Sequence, residues 1–182
     1  MDRELVERAR RGDRDAFTTL VSQISDRLYS VAYRILRDAD LAQDALQNAL
    51  VTNWQQLPDL RDTDRFEAWS QRILVHACYA ESRRRGRWTA TVRVIPFTPS
   101  TPDASDALAD RDEMERAFRR ISPDHRAVFV LHHYLGLPLV EVAETLGIPA
   151  GTARSRLHNA SRVLRSAIEA DAVATIEEVR LA

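Results

Sequence analysis

The stretch LPLVEVAETLGIPAGTARSRLHNASRVLR, residues 137–165, decides the fold of the second half of this chain. It predicts two short helices joined by a tight turn, in which Gly147 takes the left-handed conformation and Pro149 prepares the next helix start. The second helix carries Arg154, Arg156, His158, Asn159, Arg162 and Arg165. This is the pattern of a helix-turn-helix, whose second helix enters the major groove of DNA. These residues alone are also compatible with an ordinary amphipathic helical hairpin whose basic face is exposed to solvent.

The apolar residues of this stretch are spaced to seat both helices on a core. In the first helix the predicted inward residues are Val140, Ala143 and Leu146. In the second helix they are Leu157, Val163 or Leu164, and Ile168. This spacing leaves the arginines of the second helix facing outward.

The composition excludes several classes of protein. At 182 residues, 45% of them hydrophobic, the chain has room for one large domain or two small ones of a soluble helical protein. No apolar run reaches membrane-spanning length, and the N-terminal stretch MDRELVERARRGDRD lacks the apolar segment of a signal peptide. Cys78 is the only cysteine, so one chain can form neither a disulfide framework nor a cysteine-based zinc site. These features predict a cytoplasmic location without membrane insertion.

The charges are segregated along the chain, although the formal net charge is only −1. Every basic residue besides histidine is an arginine, and the arginines cluster at 83–87 and again at 154–165. The acids cluster at Asp103, Asp106, Asp110, Asp112 and Glu113. Because local basic patches set the electrostatic footprint on DNA, the small net charge does not exclude a nucleic-acid partner.

Residues 1–88 are predicted to form one all-helical domain. A long helical period begins at Asp13, and Asp40 is predicted as the N-cap of the next helix. Residues 57–64 contain Pro58 and several aspartates, and predict a loop. A further helix follows, with a predicted buried stripe formed by Phe66, Trp69, Ile73, Ala77 and Ala80.

A flexible acidic linker and a second helical domain are predicted after the first. Residues 89–111 hold three prolines among Thr, Ser and Asp with little apolar periodicity, which is typical of an extended linker. Residues 112–169 form the second domain, in which Ser122 and Pro123 mark a helix start. Residues 170–182 have partial helical spacing and are predicted to be a fraying tail. The fold class is therefore all-α, with two small helical domains.

Enzymatic functions find little support. His125, His132 and His133 lack a third ligand at metal-binding spacing. There is no glycine-rich phosphate loop, and no carboxylate pair lies in a recognisable acid–base motif. The sequence predicts no catalytic residue, no metal and no cofactor.

Four motifs in this order resemble the extracytoplasmic-function sigma factors of the sigma-70 family. They are DAFTTLV, RDADLAQDALQNALVTNWQQL, RFEAWSQRILVHACYAESRRR and EVAETLGIPAGTARSRLHNASRVLR, which lie on either side of the acidic linker. The resemblance implies a domain like sigma region 2, which binds core RNA polymerase and reads the −10 element. It also implies a domain like sigma region 4, which reads the −35 element. A helix-turn-helix regulator that acts without forming holoenzyme is the alternative.

The resemblance also implies which residues act. The residues matched to −35 reading are Thr152, Arg154, Ser155, Arg156, His158, Asn159 and Arg162. Those matched to −10 reading are Arg61, Arg65, Arg72, His76, Arg83, Arg84 and Arg85. Those matched to polymerase binding are Asp38, Asp40, Asp44, Gln47, Asn48 and Val51, and Asn48 stands where an acid is usual in the family. The implied partners are core RNA polymerase, promoter DNA and an anti-sigma factor.

Overall fold

The computed structural model describes residues 2–91 and 116–181, with side chains for 2–85, 116–166 and 169. The described residues form helices and turns and contain no strand, as the sequence predicted. The helices are α1 (Arg3–Arg10), α2 (Arg14–Leu36), α3 (Ala39–Gln56), α4 (Phe66–Thr91), α5 (Pro123–Phe129), α6 (Leu139–Leu146) and α7 (Ala150–Leu181). Two 3₁₀ turns, Leu57–Asp59 and Thr63–Arg65, connect α3 to α4, and a π-helical turn, Val130–Tyr134, extends α5. Residues 116–119 are also helical.

Side-chain caps set where four of these helices begin, and at the start of α1 the Asp2 carboxylate accepts from the Glu4 N–H. The Asp13 carboxylate accepts from the backbone N–H of Ala16 at the start of α2, and Ser122 caps α5 as predicted. The predicted cap at Asp40 is wrong, because the Asp38 carboxylate accepts from the Leu41 N–H and α3 begins at Ala39. The preceding residue, Arg37, ends α2 in the left-handed conformation with φ 55°. The turn between α2 and α3 is therefore only two residues long, and Asp40 falls in the first turn of α3.

The first domain packs α1 to α4 around one apolar core. Phe66 is buried and Trp69 and Ile73 pack against the core, but Ala80 of the predicted stripe is exposed. Among the most buried residues of α4 are instead Leu74, Val75 and Cys78. The predicted stripe is too narrow because α4 contacts α2, α3, α5 and α6, so its buried surface is wider than one stripe. The helix also continues to Thr91, three residues into the predicted linker.

The second domain has the predicted helix-turn-helix with one change. Val142, Ala143 and Leu146 face the core, whereas Val140, predicted to be buried, is 63% exposed. Val140 lies two positions before Val142, about 200° around the helix, and so points away from the inner face. In α7 the buried side chains include Ala153, Ala160 and Leu164. The side chains of the predicted inward residue Ile168 and of the tail, residues 170–182, lie outside those that the structure describes.

The two domains pack directly on each other. Val128, Leu131, Val142 and Leu146 of the second domain belong to the same apolar cluster as the core of the first. A smaller cluster, Ala117, Ile121, Ala160 and Leu164, lies within the second domain. The predicted linker beyond residue 91 falls outside the described residues. Among the helices that the structure describes, none has the length and hydropathy needed to cross a membrane.

Candidate nucleic-acid interface

The turn of the helix-turn-helix is held by backbone hydrogen bonds. Gly147 has φ 64° and its N–H reaches the carbonyls of Ala143 and Glu144 at the end of α6. The Ile148 N–H donates to the Ala143 carbonyl at 3.0 Å. The Pro149 carbonyl then accepts from Thr152 at 2.9 Å, which opens α7. Glycine adopts the left-handed conformation at little energetic cost, so the glycine at position 147 is enough to determine this turn.

The outer face of α7 presents most of the residues predicted to read the −35 element. Exposed on this face are Arg154, Ser155, His158, Asn159 and Arg162. Thr152 is half-buried, and the Ser155 hydroxyl donates to its carbonyl at 3.0 Å. Buried Ala153 and Ala160 on the opposite side keep the helix seated, so these polar groups project together. They can pair with base edges and phosphates in a major groove.

Arg156 occupies a different position from its neighbours on α7. Its guanidinium pairs with the Asp124 carboxylate of α5 at 2.7 Å, and its side chain is only 23% exposed. The two residues line a cleft of about 310 Å³ together with Tyr79 and Arg83 of the first domain. In this arrangement Arg156 faces the first domain, not the outer face that α7 offers to DNA.

One face of α4 and the loop before it form a basic ridge in the first domain. Arg72, His76 and Arg83 are exposed and lie within about 40° of one line along α4, and exposed Arg65 lies in the turn just before it. Burial lowers the pKa of His76 below 6.5, and the nearby charges of Arg72 and Arg83 lower it further. The ridge is therefore positively charged through its arginines, with a neutral imidazole between them at pH 7.

The second domain covers part of this basic ridge. Tyr79 lies on the same line of α4 between His76 and Arg83, and its buried hydroxyl finds no hydrogen-bond partner among the described residues. Burial raises the pKa of Tyr79, and the Asp124 carboxylate raises it further. At the other end of the ridge, a cleft of about 320 Å³ brings α6 opposite the loop before α4. Its lining includes Arg61, Arg65, Trp69 and Arg72 from the first domain, and Glu144 and Thr145 from α6.

Arg84 and Arg85, also predicted to read the −10 element, face α3. Arg84 contacts Asp44 at 3.1 Å and Glu81 at 2.9 Å, and Arg85 pairs with Asp38. Two arginines that were predicted to bind DNA thus form ion pairs with two acids that were predicted to bind polymerase. The pairing ties the end of α4 to the start of α3.

The outer side of α3 carries the residues predicted to contact polymerase. Asp40, Gln47 and Val51 are exposed, and Val51 is an unusually exposed large apolar side chain at 56%. A groove of about 520 Å³ runs beside Val51 between α3 and α4. Its lining residues are Asn48, Val51, Thr52, Gln56, Ile73, His76, Ala77 and Ala80. The lining combines apolar side chains with polar ones, which suits a protein partner.

The structure gives Asn48 a role that its sequence position did not reveal. Its amide donates to a carboxylate oxygen of Glu81 at 3.0 Å, and Glu81 is only 4% exposed. Glu81 belongs to none of the predicted sites, although its spacing of three residues from Arg84 is a helical pairing signal. An acid at position 48 would face this buried carboxylate, so the uncommon asparagine fits its neighbour.

His125, His132 and Cys78 occupy ordinary structural positions. His132 Nδ1 lies 2.8 Å from the Leu137 carbonyl, and the His125 ring lies 2.6 Å from the Ser122 hydroxyl. Burial raises the pKa of the Cys78 thiol to about 12, which keeps it protonated. Within the described residues, no group of three His, Cys, Asp or Glu side chains is placed to hold a metal ion.

Comparison with known proteins finds two family models in chain order. Residues 20–88 match sigma-70 region 2, and residues 111–164 match sigma-70 region 4. SigL of Mycobacterium tuberculosis, an ECF RNA polymerase sigma factor, is 35% identical over 147 residues, covering 78% of this chain and 82% of the relative. The RNA polymerase sigma-H factor of Pseudomonas aeruginosa is 28% identical over 181 residues, covering 92% of this chain and 94% of the relative.

A solved structure shares the same fold. The sigma factor RpoE, in complex with the anti-sigma factor NepR from Bartonella quintana, aligns with a TM-score of 0.70 at 23% sequence identity. The alignment covers 85% of this chain and 98% of that one.

Proposed function

Because this chain belongs to the extracytoplasmic-function sigma factors of the sigma-70 family, we propose that it binds core RNA polymerase and directs it to a restricted set of promoters. The observation that carries this proposal is the pair of matched regions, 20–88 and 111–164, each on a separate helical domain. Core polymerase supplies the catalytic chemistry, and this chain acts without a cofactor in the cytoplasm.

The exposed arginines of the two domains fit two DNA contacts of different kinds. On α7, Arg154, Ser155 and His158 read base edges of the −35 element, while Arg162 holds the phosphate backbone. On the first domain, the basic ridge of α4 holds the separated strand near the −10 element. Arg84 and Arg85 are proposed to act indirectly, because their ion pairs hold α4 against α3.

The exposed side of α3 is the proposed contact with core polymerase. Val51 and the groove beside it supply apolar area, and Gln47 and Asp40 supply a polar margin. Asp38 and Asp44 form ion pairs with Arg85 and Arg84. They therefore stabilise the shape of this surface and do not themselves contact polymerase. The binding is therefore driven by shape and apolar area more than by charge.

The packing of the two domains supports a difference between the free and polymerase-bound protein. In the packed arrangement Arg156 lies in a cleft with Tyr79 and Arg83 of the first domain, and Glu144 lies opposite the arginines of the −10 loop. These contacts place parts of both DNA-reading surfaces against protein. We therefore expect the free protein to bind promoter DNA weakly, and core polymerase to separate the domains and set their spacing.

Transcription with purified components tests the proposal. The protein is added to core polymerase and genomic fragments, and specific initiation is measured beside duplex binding by the protein alone. The proposal predicts specific transcripts with core and weak duplex binding without it. Tight, sequence-specific binding by the free protein with no stimulation of core would instead establish a helix-turn-helix regulator.

A regulatory partner is the second part of the proposal. The structural relative RpoE was solved in complex with the anti-sigma factor NepR, and this chain has the same fold. We propose that an anti-sigma protein holds this factor inactive by covering its polymerase-binding and DNA-reading faces. Native factor purified from unstressed cells should carry such a protein. Recovery of free, fully active factor would contradict the idea, and deletion of residues 170–182 would then test control by the tail.

A further inference from the structure

Helix α1 carries a stripe of three charged side chains that faces the loop between α3 and α4. Arg3, Glu7 and Arg10 follow one another at spacings of four and three residues, which places them on one side of the helix. The loop, residues 57–65, belongs to the segment that the proposed function assigns to the −10 element. Helix α1 itself lies outside residues 20–88, the stretch that matches sigma-70 region 2, and the stripe belongs to none of the predicted sites.

Two side chains of the stripe are joined to the loop by a continuous chain of polar contacts. Arg10 Nη1 donates to the Leu60 carbonyl at 3.1 Å, and Arg10 Nη2 lies 3.0 Å from Glu7 Oε2. The other carboxylate oxygen, Glu7 Oε1, accepts from the Thr63 hydroxyl at 3.3 Å. The helix and the loop run in opposite directions here, so the two contacts hold the loop at two separate points.

These two contacts are better shielded from solvent than the third contact of the stripe. The side chains of Arg10 and Glu7 are 32% and 26% exposed, and Thr63 is buried. Hydrogen bonds to charged groups in such positions contribute more than exposed ion pairs do. The pair formed by Arg3 and Asp64, at 3.5 Å, is largely exposed and therefore adds little.

Helix α1 is itself fixed on the first domain. Val6 and Ala9 are buried in the main apolar cluster. Arg8 holds the turn into α2 through an ion pair with Asp13 at 2.7 Å. Because α1 is seated in this way, it provides a fixed support against which the loop can be held.

The loop alternates between buried anchors and exposed positions. Leu60 and Thr63, the two residues that α1 holds, are buried, and Arg61 and Asp62 between them are exposed. The Asp62 carboxylate accepts from the Asp64 N–H at 3.1 Å, which closes a local turn. The direction in which Arg61 projects therefore depends on where its two anchors are held.

We propose that Glu7 and Arg10 are positioning residues for reading of the −10 element. By holding Leu60 and Thr63, they direct Arg61 toward the basic ridge of α4, where the separated strand is proposed to lie. A binding group needs such a supporting contact to stay in its productive geometry. This inference rests on the proposed function, since only a factor that opens promoters uses the loop in this way.

Initiation by holoenzyme on single-base variants of the −10 and −35 elements tests the proposal. Arg10→Ala should reduce discrimination at the −10 element by about tenfold, the scale of a lost hydrogen bond to a charged group, and leave discrimination at the −35 element unchanged. Arg10→Lys keeps a donor for the Leu60 carbonyl and should recover part of the loss. Glu7→Gln keeps an acceptor for the Thr63 hydroxyl and should lose less than Glu7→Ala.

Arg8→Ala is the matched control. It also removes an arginine and an ion pair from α1, but Arg8 pairs with Asp13 and not with the loop. This variant should lower Tm while leaving discrimination at both promoter elements as in the wild type.

Amide hydrogen exchange of the full-length protein provides a second measurement, which needs no polymerase. Within the loop, the Asp64 N–H donates to the Asp62 carboxylate and the Arg65 N–H donates to the Asp62 carbonyl, both at 3.1 Å. These two amides should exchange about tenfold faster in Arg10→Ala, because the loop opens more often when it loses its support. In Arg8→Ala they should exchange at the wild-type rate.

The proposal would be overturned by equal losses at the −10 and −35 elements in Arg10→Ala, or by a loss as large in Arg8→Ala, since α1 would then only stabilise the fold. Unchanged exchange of the Asp64 and Arg65 amides in Arg10→Ala would also overturn it, because the loop would hold its shape unaided. A wild-type protein that gives no specific initiation would instead contradict the proposed function. The exchange measurement would still decide whether α1 holds the loop.

Discussion

The end of α4 and the outer face of α7 both carry closely spaced arginines, but the two sets have different surroundings. Arg84 and Arg85 pair with Asp44 and Asp38 of α3. Arg154 and Arg162 are exposed, and within the described residues neither forms an ion pair. One set stabilises the contact of two helices, whereas the other remains available for a ligand. Whether an arginine is available to bind a ligand therefore depends on which acids lie within its reach, and its presence in the sequence alone does not decide this.

The largest effect is expected from a substitution beside Glu81, the buried acid of α4 that contacts Arg84 and Asn48. Asn48→Asp replaces the amide that donates to Glu81 at 3.0 Å with a second negative charge. The free energy of unfolding should fall by about 2–3 kcal/mol, the scale of a lost hydrogen bond to a charged group. Urea denaturation measures this fall.

Two matched variants test whether that loss arises from charge repulsion. Adding Glu81→Gln to Asn48→Asp should restore most of the stability, because the amide can again face a carboxylate. Gln47→Asp changes the charge of the exposed neighbouring position and should alter stability by less than about 0.5 kcal/mol. A loss in the double variant as large as in Asn48→Asp would contradict the assigned pairing.

A smaller effect, confined to DNA recognition, is expected on α7. Arg154→Ala in holoenzyme should reduce discrimination at one position of the −35 element by about 1–3 kcal/mol, the value of a paired guanidinium–guanine contact. Initiation rates on a set of single-base promoter variants provide the measurement. Equal losses on all promoters would show that Arg154 contacts the DNA backbone and does not read a base.

Salt dependence compares the two arginine sets directly. Arg162→Ala should reduce the slope of log binding constant against log salt by about 1, because one phosphate contact is lost. Arg84→Ala should leave that slope unchanged and reduce stability by about 1–2 kcal/mol, because it removes an exposed ion pair with Asp44 and the ion pair of the buried Glu81 carboxylate. An equal fall of slope in both variants would mean that Arg84 also reaches DNA.

The smallest expected effect is the titration of His76 between the arginines of the basic ridge. Its pKa in the folded protein lies below 6.5, because burial, Arg72 and Arg83 disfavour the imidazolium. The unfolded state therefore binds the proton first as pH falls. This contribution to stability is complete above pH 6.5 and is lost as pH falls toward the folded pKa. An NMR titration should give a midpoint below 6.5, and Arg72→Gln should raise it. A midpoint above 6.5 would show that the ridge stabilises the charged ring.

The features that sequence predicted well are governed by neighbouring residues. Ser122 and Pro123 start α5, and Gly147 ends α6, because capping and a left-handed turn depend on a few consecutive residues. The same reasoning failed at Asp40, since two aspartates two residues apart could both cap α3 and only the two-residue turn at Arg37 selects Asp38. Periodicity also failed where a helix has several neighbours, as at Ala80 of α4.

By itself, then, the sequence determined the all-helical class, the two domains of this sigma factor and the outer face of α7. These follow from helical period, capping and motif order, which act over short distances along the chain. Only the tertiary structure decided that Arg84 and Arg85 pair with α3, that Arg156 turns to Asp124, and that Arg126 is buried among like charges. An arginine side chain is long enough to reach several partners, and which of them is near depends on residues that are distant in sequence and brought together by packing.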